Sequence, residues 1–259
     1  NGEANITSVL KQPFQLAQFA AIHLIDHVSP KRVDGLKINT ESDIPVGCGM
    51  GSSAAVTLSV LRALMQHYSM DIDQSNFLEL AFEAERLQHG YPSPIDLNIA
   101  YHGGCIYFHD GKVQARALPK IPMFLVNTGT PDASTGECVA QVAKQFSQDG
   151  IWDEFANVTN ALDKALQKND LLLIQDLLRE NHRLLAQIGV VPEKVKRFVE
   201  EIQAVGAAAK ICGAGSIRGD HAGAVLVVHD NVEALKTICQ RYDYTIETVE
   251  AASQGLHVA

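Results

Sequence analysis

Residues 44–55 of this 259-residue chain read IPVGCGMGSSAA and stand directly before a run of helix-forming residues. Glycine lets the backbone turn tightly and approach an anion closely. The first N–H groups of the following helix have no partner within the helix, and they lie at the positive end of its dipole. The pattern therefore predicts a phosphate-binding loop that could hold the triphosphate of ATP.

This loop is not a Walker A sequence, because no Gly-Lys-Ser or Gly-Lys-Thr closes it. Ordinary P-loop enzymes are therefore not expected. A glycine-rich turn in which Ser52 or Ser53 caps a buried helix would contain the same residues. The loop by itself leaves both interpretations open.

A second informative segment, residues 85–96, reads ERLQHGYPSPID, and Asn98 and the pair Gly103-Gly104 follow it. The residues alone indicate a helix that ends at His-Gly, a turn rich in glycine and proline, and an aspartate in the loop after it. An aspartate in such a loop is more often a cap or a turn former than a catalyst.

Two further segments lie in the second half of the chain. Residues 210–215 read KICGAG and lead through SIRGDH, residues 216–221, to a predicted strand, and a charged surface turn is the simple interpretation of SIRGDH. Residues 126–135 read VNTGTPDAST, in which Ser134 or Thr135 could cap a helix beginning near Glu137.

Together these segments resemble the GHMP kinase family, named for galactose, homoserine, mevalonate and phosphomevalonate. The first is similar to its central ATP-binding motif, and ERLQHGYPSPID is most similar to the mevalonate kinase branch. KICGAG resembles the C-terminal glycine motif, although SIRGDH stands where the family has more glycines, and we expect Arg218 to supply positive charge there. The resemblance implies a two-domain α+β fold. An N-terminal α/β domain with the ATP loop would span residues 1–120, and a C-terminal ferredoxin-like α+β domain residues 121–259.

The resemblance also implies site residues and cofactors. Asp96 would be the catalytic base, Ser53 and Glu85 would bind Mg²⁺, and His89 and Thr135 would contact the substrate. ATP would be the nucleotide. Its implied contacts are Gly47, Gly49, Met50, Gly51, Ser52, Ser53, Ala54, Gly213, Ala214 and Gly215.

The implied reaction is phosphorylation of mevalonate to 5-phosphomevalonate in isoprenoid biosynthesis. Two alternatives stay open. One is a related kinase or an ATP-dependent decarboxylase with another acceptor, and the other is a catalytically inactive sensor that binds a nucleotide or metabolite. Family members begin with a strand that carries a lysine, and Lys11 is no substitute because it leads into a helix. We therefore expect that strand and its motif to precede Asn1.

Composition restricts the partners. The net charge of −9 argues against a nucleic-acid surface, and no apolar run reaches the roughly 18 residues of a membrane span. Five separated cysteines without a CxxC pair indicate reduced thiols rather than disulfides or a zinc site. We expect a cytoplasmic enzyme with a small-molecule substrate, no nucleic-acid or membrane partner, and, by resemblance, a homodimer.

Hydrophobic periodicity predicts alternating helices and strands. The predicted helices cover residues 14–27, 52–67, 75–88, 136–147, 152–167, 170–187, 192–205 and 232–241. The predicted strands cover 35–40, 105–108, 112–115, 123–127, 222–228 and 244–250.

Overall fold

The computed structural model describes residues 15–28, 36–89, 92–250 and 252–257. Within these ranges the chain forms nine helices and six strands. The helices are α1 (Gln15–Val28), α2 (Ser52–His67), α3 (Gln74–His89), α4 (Ile95–His102), α5 (Thr135–Phe146), α6 (Ile151–Lys168), α7 (Leu171–Gln187), α8 (Glu193–Ala204) and α9 (Val232–Tyr242). The strands are β1 (Cys105–His109), β2 (Lys112–Arg116), β3 (Met123–Asn127), β4 (Ala208–Ile211), β5 (Ala224–Val228) and β6 (Thr245–Thr248).

Four helices and a hairpin make up the described part of the first half. Helix α1 packs on α2 and α3, and α4 packs on α2. Leu24, Leu61 and Phe77 meet in their shared core, because apolar residues recur on one face of each helix. Strands β1 and β2 pair in antiparallel register around Asp110 and Gly111, whose positive φ angles suit a tight hairpin turn.

The second half is a four-stranded antiparallel sheet covered by helices. Its strand order is β4-β5-β3-β6, with α5–α8 inserted between β3 and β4 and α9 between β5 and β6. This is the β-α-β-β-α-β arrangement of ferredoxin-like domains. A separate core containing Phe198, Ile202 and Val225 lies between the sheet and its helices. The domain boundary expected near residue 120 stays a prediction.

The described parts of the two halves contact each other at several places. The Cys48 carbonyl accepts a hydrogen bond from Ala224 N at 2.8 Å, which joins the glycine loop to β5. In the hairpin, Arg116 Nε of β2 lies 2.6 Å from Asp163 Oδ1 of α6. Gly104 N donates to Ala252 O at 2.8 Å, and Leu256 N donates to Tyr101 O at 3.1 Å. The segment after β6 therefore returns to the end of α4.

Several sequence-based expectations about secondary structure were wrong. Residues 36–40 form no strand, and all five are exposed without a strand partner among the described residues. Helix α4 was not predicted, since proline and glycine around it indicate a turn, yet Leu97 anchors it in the core. Strand β4 was not predicted either. Its sequence AAKI has weak strand propensity, and pairing with β5 stabilises it.

None of the described helices has the length and apolar character needed to cross a bilayer.

Candidate active site

The glycine loop adopts a backbone that favours glycine. Gly47, Gly49 and Gly51 have φ angles of +74°, +74° and +71°, in the left-handed region. Gly51 is the N-cap of α2 and makes no side-chain capping bond, so the serine-capped turn is not the observed arrangement. No side chain therefore caps the first backbone N–H groups of α2, which follow directly on the glycine turn. This is the geometry that favours an anion.

The glycine loop packs directly on the C-terminal glycine motif. A Cβ on Gly49 would lie 2.8 Å from the carbonyl oxygen of Cys212, and one on Gly213 would lie 2.7 Å from the Gly49 Cα. Strand β5 joins both loops, because Ala224 donates its N–H to Cys48 O and accepts from Cys212 N at 2.8 Å. The absence of side chains at Gly49 and Gly213 is what permits the two backbones to meet.

A cavity of about 270 Å³ opens between these loops and the start of α5. Five of the predicted site residues line it: Gly47, Gly49, Thr135, Ala214 and Gly215. The other predicted nucleotide contacts belong to the same two loops but do not line it, namely Met50, Gly51, Ser52, Ser53, Ala54 and Gly213. The side chains of Ser52 and Ala54 are buried, so only their backbone could contact a phosphate.

A larger cavity of about 460 Å³ lies between α2, α4 and residues 252–257. None of the predicted site residues lines it. We place the candidate site at the smaller cavity, because both glycine motifs meet there.

The predicted metal ligands are in direct contact. Ser53 Oγ donates to Glu85 Oε1 at 2.7 Å, and Thr57 Oγ1 donates to the same oxygen at 2.9 Å. Glu85 is only 6% exposed, and burying a carboxylate is costly unless it is hydrogen-bonded. The two hydroxyl donors offset part of that cost. Thr57 was missed from sequence, although it lies four residues after Ser53 and therefore on the same face of α2.

This pair suits a hard cation that keeps most of its coordination for water and phosphate. Mg²⁺ is commonly held by one or two protein oxygens together with substrate phosphates. Across the described ranges, no three His, Cys, Asp or Glu side chains cluster as a self-sufficient metal cage. Ser53 and Glu85 could instead supply the one or two protein oxygens that hold Mg²⁺ together with substrate phosphates.

Asp96 lies in the first turn of α4 rather than in a loop, which corrects the expected local structure. Its side chain is exposed and does not line the 270 Å³ cavity. Pro94 precedes the helix, and its carbonyl accepts from Asn98 Nδ2 at 2.8 Å, which fixes the turn that carries Asp96. His89 is the last residue of α3, and its side chain lies outside the described part of the structure.

The start of α5 is held by a capping box. Ser134 Oγ accepts from Glu137 N at 3.3 Å, and Glu137 Oε2 accepts from Ser134 N at 2.8 Å. Ser134 is thus the cap, and Thr135 is the first helical residue, which lines the cavity. The helix begins two residues before the expected Glu137. The S-x-x-E spacing of residues 134–137 is a sequence signal that could have located it.

Residues 216–221 are not a simple surface turn. Ser216 is buried, and its Oγ accepts from Ala133 N at 3.2 Å and donates to Arg218 O at 2.7 Å. Arg218 donates from Nη1 and Nη2 to the two carboxylate oxygens of Glu137 at 2.9 and 3.2 Å. With the capping bonds, this guanidinium lowers the pKa of Glu137 to about 2, so the pair is charged at neutral pH.

Comparison with protein families finds two matches. The model for the GHMP kinases N terminal domain matches residues 15–104, and the model for GHMP kinases C terminal matches residues 162–217. Together they cover more than half of the chain.

Named relatives point to one branch. The mevalonate kinase of Pyrococcus horikoshii is 31% identical over 206 residues, and that of Pyrococcus furiosus is 28% identical over 208 residues. Each alignment covers 75% of this chain and 61% of the relative. The chain therefore spans less than two thirds of the length of these relatives.

Solved structures share the fold. The mevalonate kinase of Methanococcus jannaschii superposes with a TM-score of 0.77 at 24% identity, covering 95% of this chain and 77% of that one. L. major mevalonate kinase in complex with R-mevalonate gives a TM-score of 0.69 at 23% identity, covering 97% and 80%. The two-domain α+β fold predicted from sequence is confirmed.

Proposed function

Because the chain belongs to the GHMP kinase family, we propose that it transfers the γ-phosphoryl group of ATP to a hydroxyl group of mevalonate. The observation that carries this proposal is the meeting of the two glycine motifs at one cavity, with Gly49 against Cys212 and Gly213. Ser53, in the first turn of the helix that follows the glycine loop, donates a hydrogen bond to Glu85 of α3.

The glycine loop and the start of α2 would hold the phosphates of ATP. Their backbone N–H groups and the helix dipole favour negative charge, and the positive φ angles let phosphate oxygens approach without meeting a Cβ. Ser53 and Glu85 would hold Mg²⁺, and the bound ion would supply neutralisation of the charge on the transferred phosphoryl group. Phosphoryl transfer asks a protein mainly for this positioning and charge stabilisation.

Asp96 would orient the acceptor hydroxyl and accept its proton. A bond forms between the hydroxyl oxygen and the γ-phosphorus while the bond from that phosphorus to the β,γ-bridging oxygen breaks, and ADP leaves. Asp96 is an exposed residue at the beginning of a helix that Leu97 anchors in the core. A general base must lie within hydrogen-bond reach of the proton that it accepts, and an anchored helix gives the carboxylate a fixed geometry for this role.

Mevalonate is the proposed acceptor on two grounds. The segment at residues 85–96 resembles the mevalonate kinase branch, and relatives at 28–31% identity carry that name. The L. major structure of the same fold is a complex with R-mevalonate. A cytoplasmic setting and a homodimer are proposed on the family resemblance alone.

The test is coupled ADP release by the full-length protein with Mg-ATP and four acceptors: mevalonate, phosphomevalonate, homoserine and galactose. We expect turnover with mevalonate and its loss in Asp96→Asn. Asp110→Asn is the matched control, because Asp110 is an exposed carboxylate in the hairpin turn, where asparagine is equally compatible with the backbone.

Other outcomes would redirect the assignment. Turnover with another acceptor would select a different member of the family, and CO₂ release with ADP would select a decarboxylase. Nucleotide binding without turnover on any acceptor would select the sensor.

A further inference from the structure

The segment 216–221 is fastened to the segment that leads into α5. Besides the Ser216–Ala133 hydrogen bond, Gly219 packs on the Asp132 side chain, which a Cβ at this position would displace. His221 Nδ1 lies 3.8 Å from Asp132 Oδ2. Arg218 forms an ion pair with Glu137 in the first turn of α5. The attachment is therefore continuous along both segments.

Both segments border the 270 Å³ cavity. Ala133, Ser134 and Thr135 line it, and so do Gly215 and Ala222, which flank the segment 216–221. Whatever holds the segments together therefore helps to fix this part of the cavity lining.

The Arg218–Glu137 pair is the charged part of this attachment. One carboxylate accepts both from the guanidinium and from Ser134 N, so Arg218 is linked through Glu137 to the turn that carries Thr135. A bidentate arginine–carboxylate contact fixes orientation as well as distance. An exposed pair of this kind adds little to overall stability, so its main effect is local geometry.

We propose that Arg218 is a positioning residue, which acts through Glu137 to hold the first turn of α5 against residues 213–222 and so fixes the position of Thr135 in the lining of the 270 Å³ cavity. This rests on the proposed kinase function. Misplacement of a reacting group by about 1 Å can cost up to about 100-fold in rate. A pair that is unimportant for stability can therefore be important for turnover.

The first experiment compares two arginine variants of the full-length protein. Arg218→Ala should lower kcat about tenfold, because the part of the cavity lining that carries Thr135 is less well fixed. Arg241→Ala is the matched control. Arg241 pairs with Glu201 between α9 and α8, its side chain is 58% exposed against 52% for Arg218, and it does not line the cavity. Equal effects of the two variants would overturn the proposal.

A double-mutant cycle separates positioning from direct contact with substrate. Glu137→Gln keeps an oxygen for Ser134 N but removes the charge that holds Arg218. If Arg218 acts through Glu137, the double variant should be no more than about twofold worse than Arg218→Ala alone, since residues that act on one another are not additive. If the loss of activity in the double variant equals the product of the losses in the two single variants, Arg218 acts independently of Glu137 and the proposal is wrong. Arg218→Lys keeps the charge and should recover part of the activity.

A third readout does not depend on turnover. Hydrogen exchange of the amides in the first turn of α5 and in residues 216–221 should become faster in Arg218→Ala and stay unchanged in Arg241→Ala. Unchanged exchange in Arg218→Ala would contradict the attachment itself. Faster exchange in a protein that phosphorylates no acceptor would instead reject the kinase function while the attachment stands.

Discussion

Replacing Gly49 by alanine should destabilise the protein more than replacing Gly51, although both glycines have nearly the same φ angle. A Cβ on Gly49 would lie 2.8 Å from Cys212 O, 3.2 Å from Cys212 C and 3.3 Å from the Gly213 Cα. A Cβ on Gly51 would meet nothing within 4 Å. The two variants therefore share the backbone strain and differ in the contact between the loops.

The expected difference is about 2 kcal/mol. Alanine in the left-handed region costs roughly 1–2 kcal/mol, and the restricted unfolded chain returns about 0.4–1 kcal/mol, so Gly51→Ala should cost about 1 kcal/mol. At Gly49 the added Cβ meets backbone atoms that cannot rotate away, and overpacking of this kind typically costs a further 1–3 kcal/mol, or about 2.

Thermal unfolding followed by circular dichroism measures this difference. At about 2–4 °C per kcal/mol, the midpoint for Gly49→Ala should lie about 5 °C below that for Gly51→Ala. Equal midpoints, to within about 1 °C, would refute the reasoning. They would mean that the glycine loop and the C-terminal motif do not pack on one another in solution.

Two further predictions concern buried titratable groups. His182 is buried with an unpaired Nδ1, and burial, aided by the charges of Lys210 and Lys196, lowers its pKa to about 4. The unfolded chain therefore binds this proton more readily, and the stability that is present above about pH 6.5 is lost as the pH falls towards 4. Urea unfolding should show the stability falling by about 2 kcal/mol between pH 7 and pH 5, and this His182-dependent loss should be absent in His182→Gln. A His182→Gln protein with the same pH dependence as the wild type would contradict this prediction. Glu85→Gln should raise the Mg²⁺ concentration needed for half-maximal nucleotide binding at least about tenfold, whereas Glu79→Gln, an exposed carboxylate on the same helix, should not. An unchanged Mg²⁺ requirement in Glu85→Gln would exclude it as a ligand.

Local patterns were enough to predict most of the elements. Helix α2 runs from Ser52 to His67 as expected, because its apolar residues recur with helical spacing behind an unmistakable glycine turn. The hairpin around Asp110-Gly111 and strand β3 were also confirmed. These features depend on residues that are close in sequence.

The features that were missed depend on distant partners. Strand β4 is stabilised by pairing with β5, and α4 by the burial of Leu97 between other helices. The same holds in the candidate site. The sequence contains the glycines at 49 and 213, but only the fold shows that the backbone of each loop leaves no room for a Cβ at the glycine of the other. Likewise, Glu137 and Arg218 are 81 residues apart, and no local pattern indicates that they pair.

The most direct test of the kinase proposal is single-turnover transfer from γ-³²P-labelled ATP to mevalonate by the full-length protein and by Asp96→Asn, with nucleotide binding measured in both. We expect label in the mevalonate product for the wild type, and no transfer but unchanged ATP binding for the variant, because the proposed phosphate site lies in loops that do not include Asp96. Equal transfer by the two proteins would contradict the assignment of Asp96 as the base, and no transfer by the wild type would contradict the proposal that this chain is a mevalonate kinase.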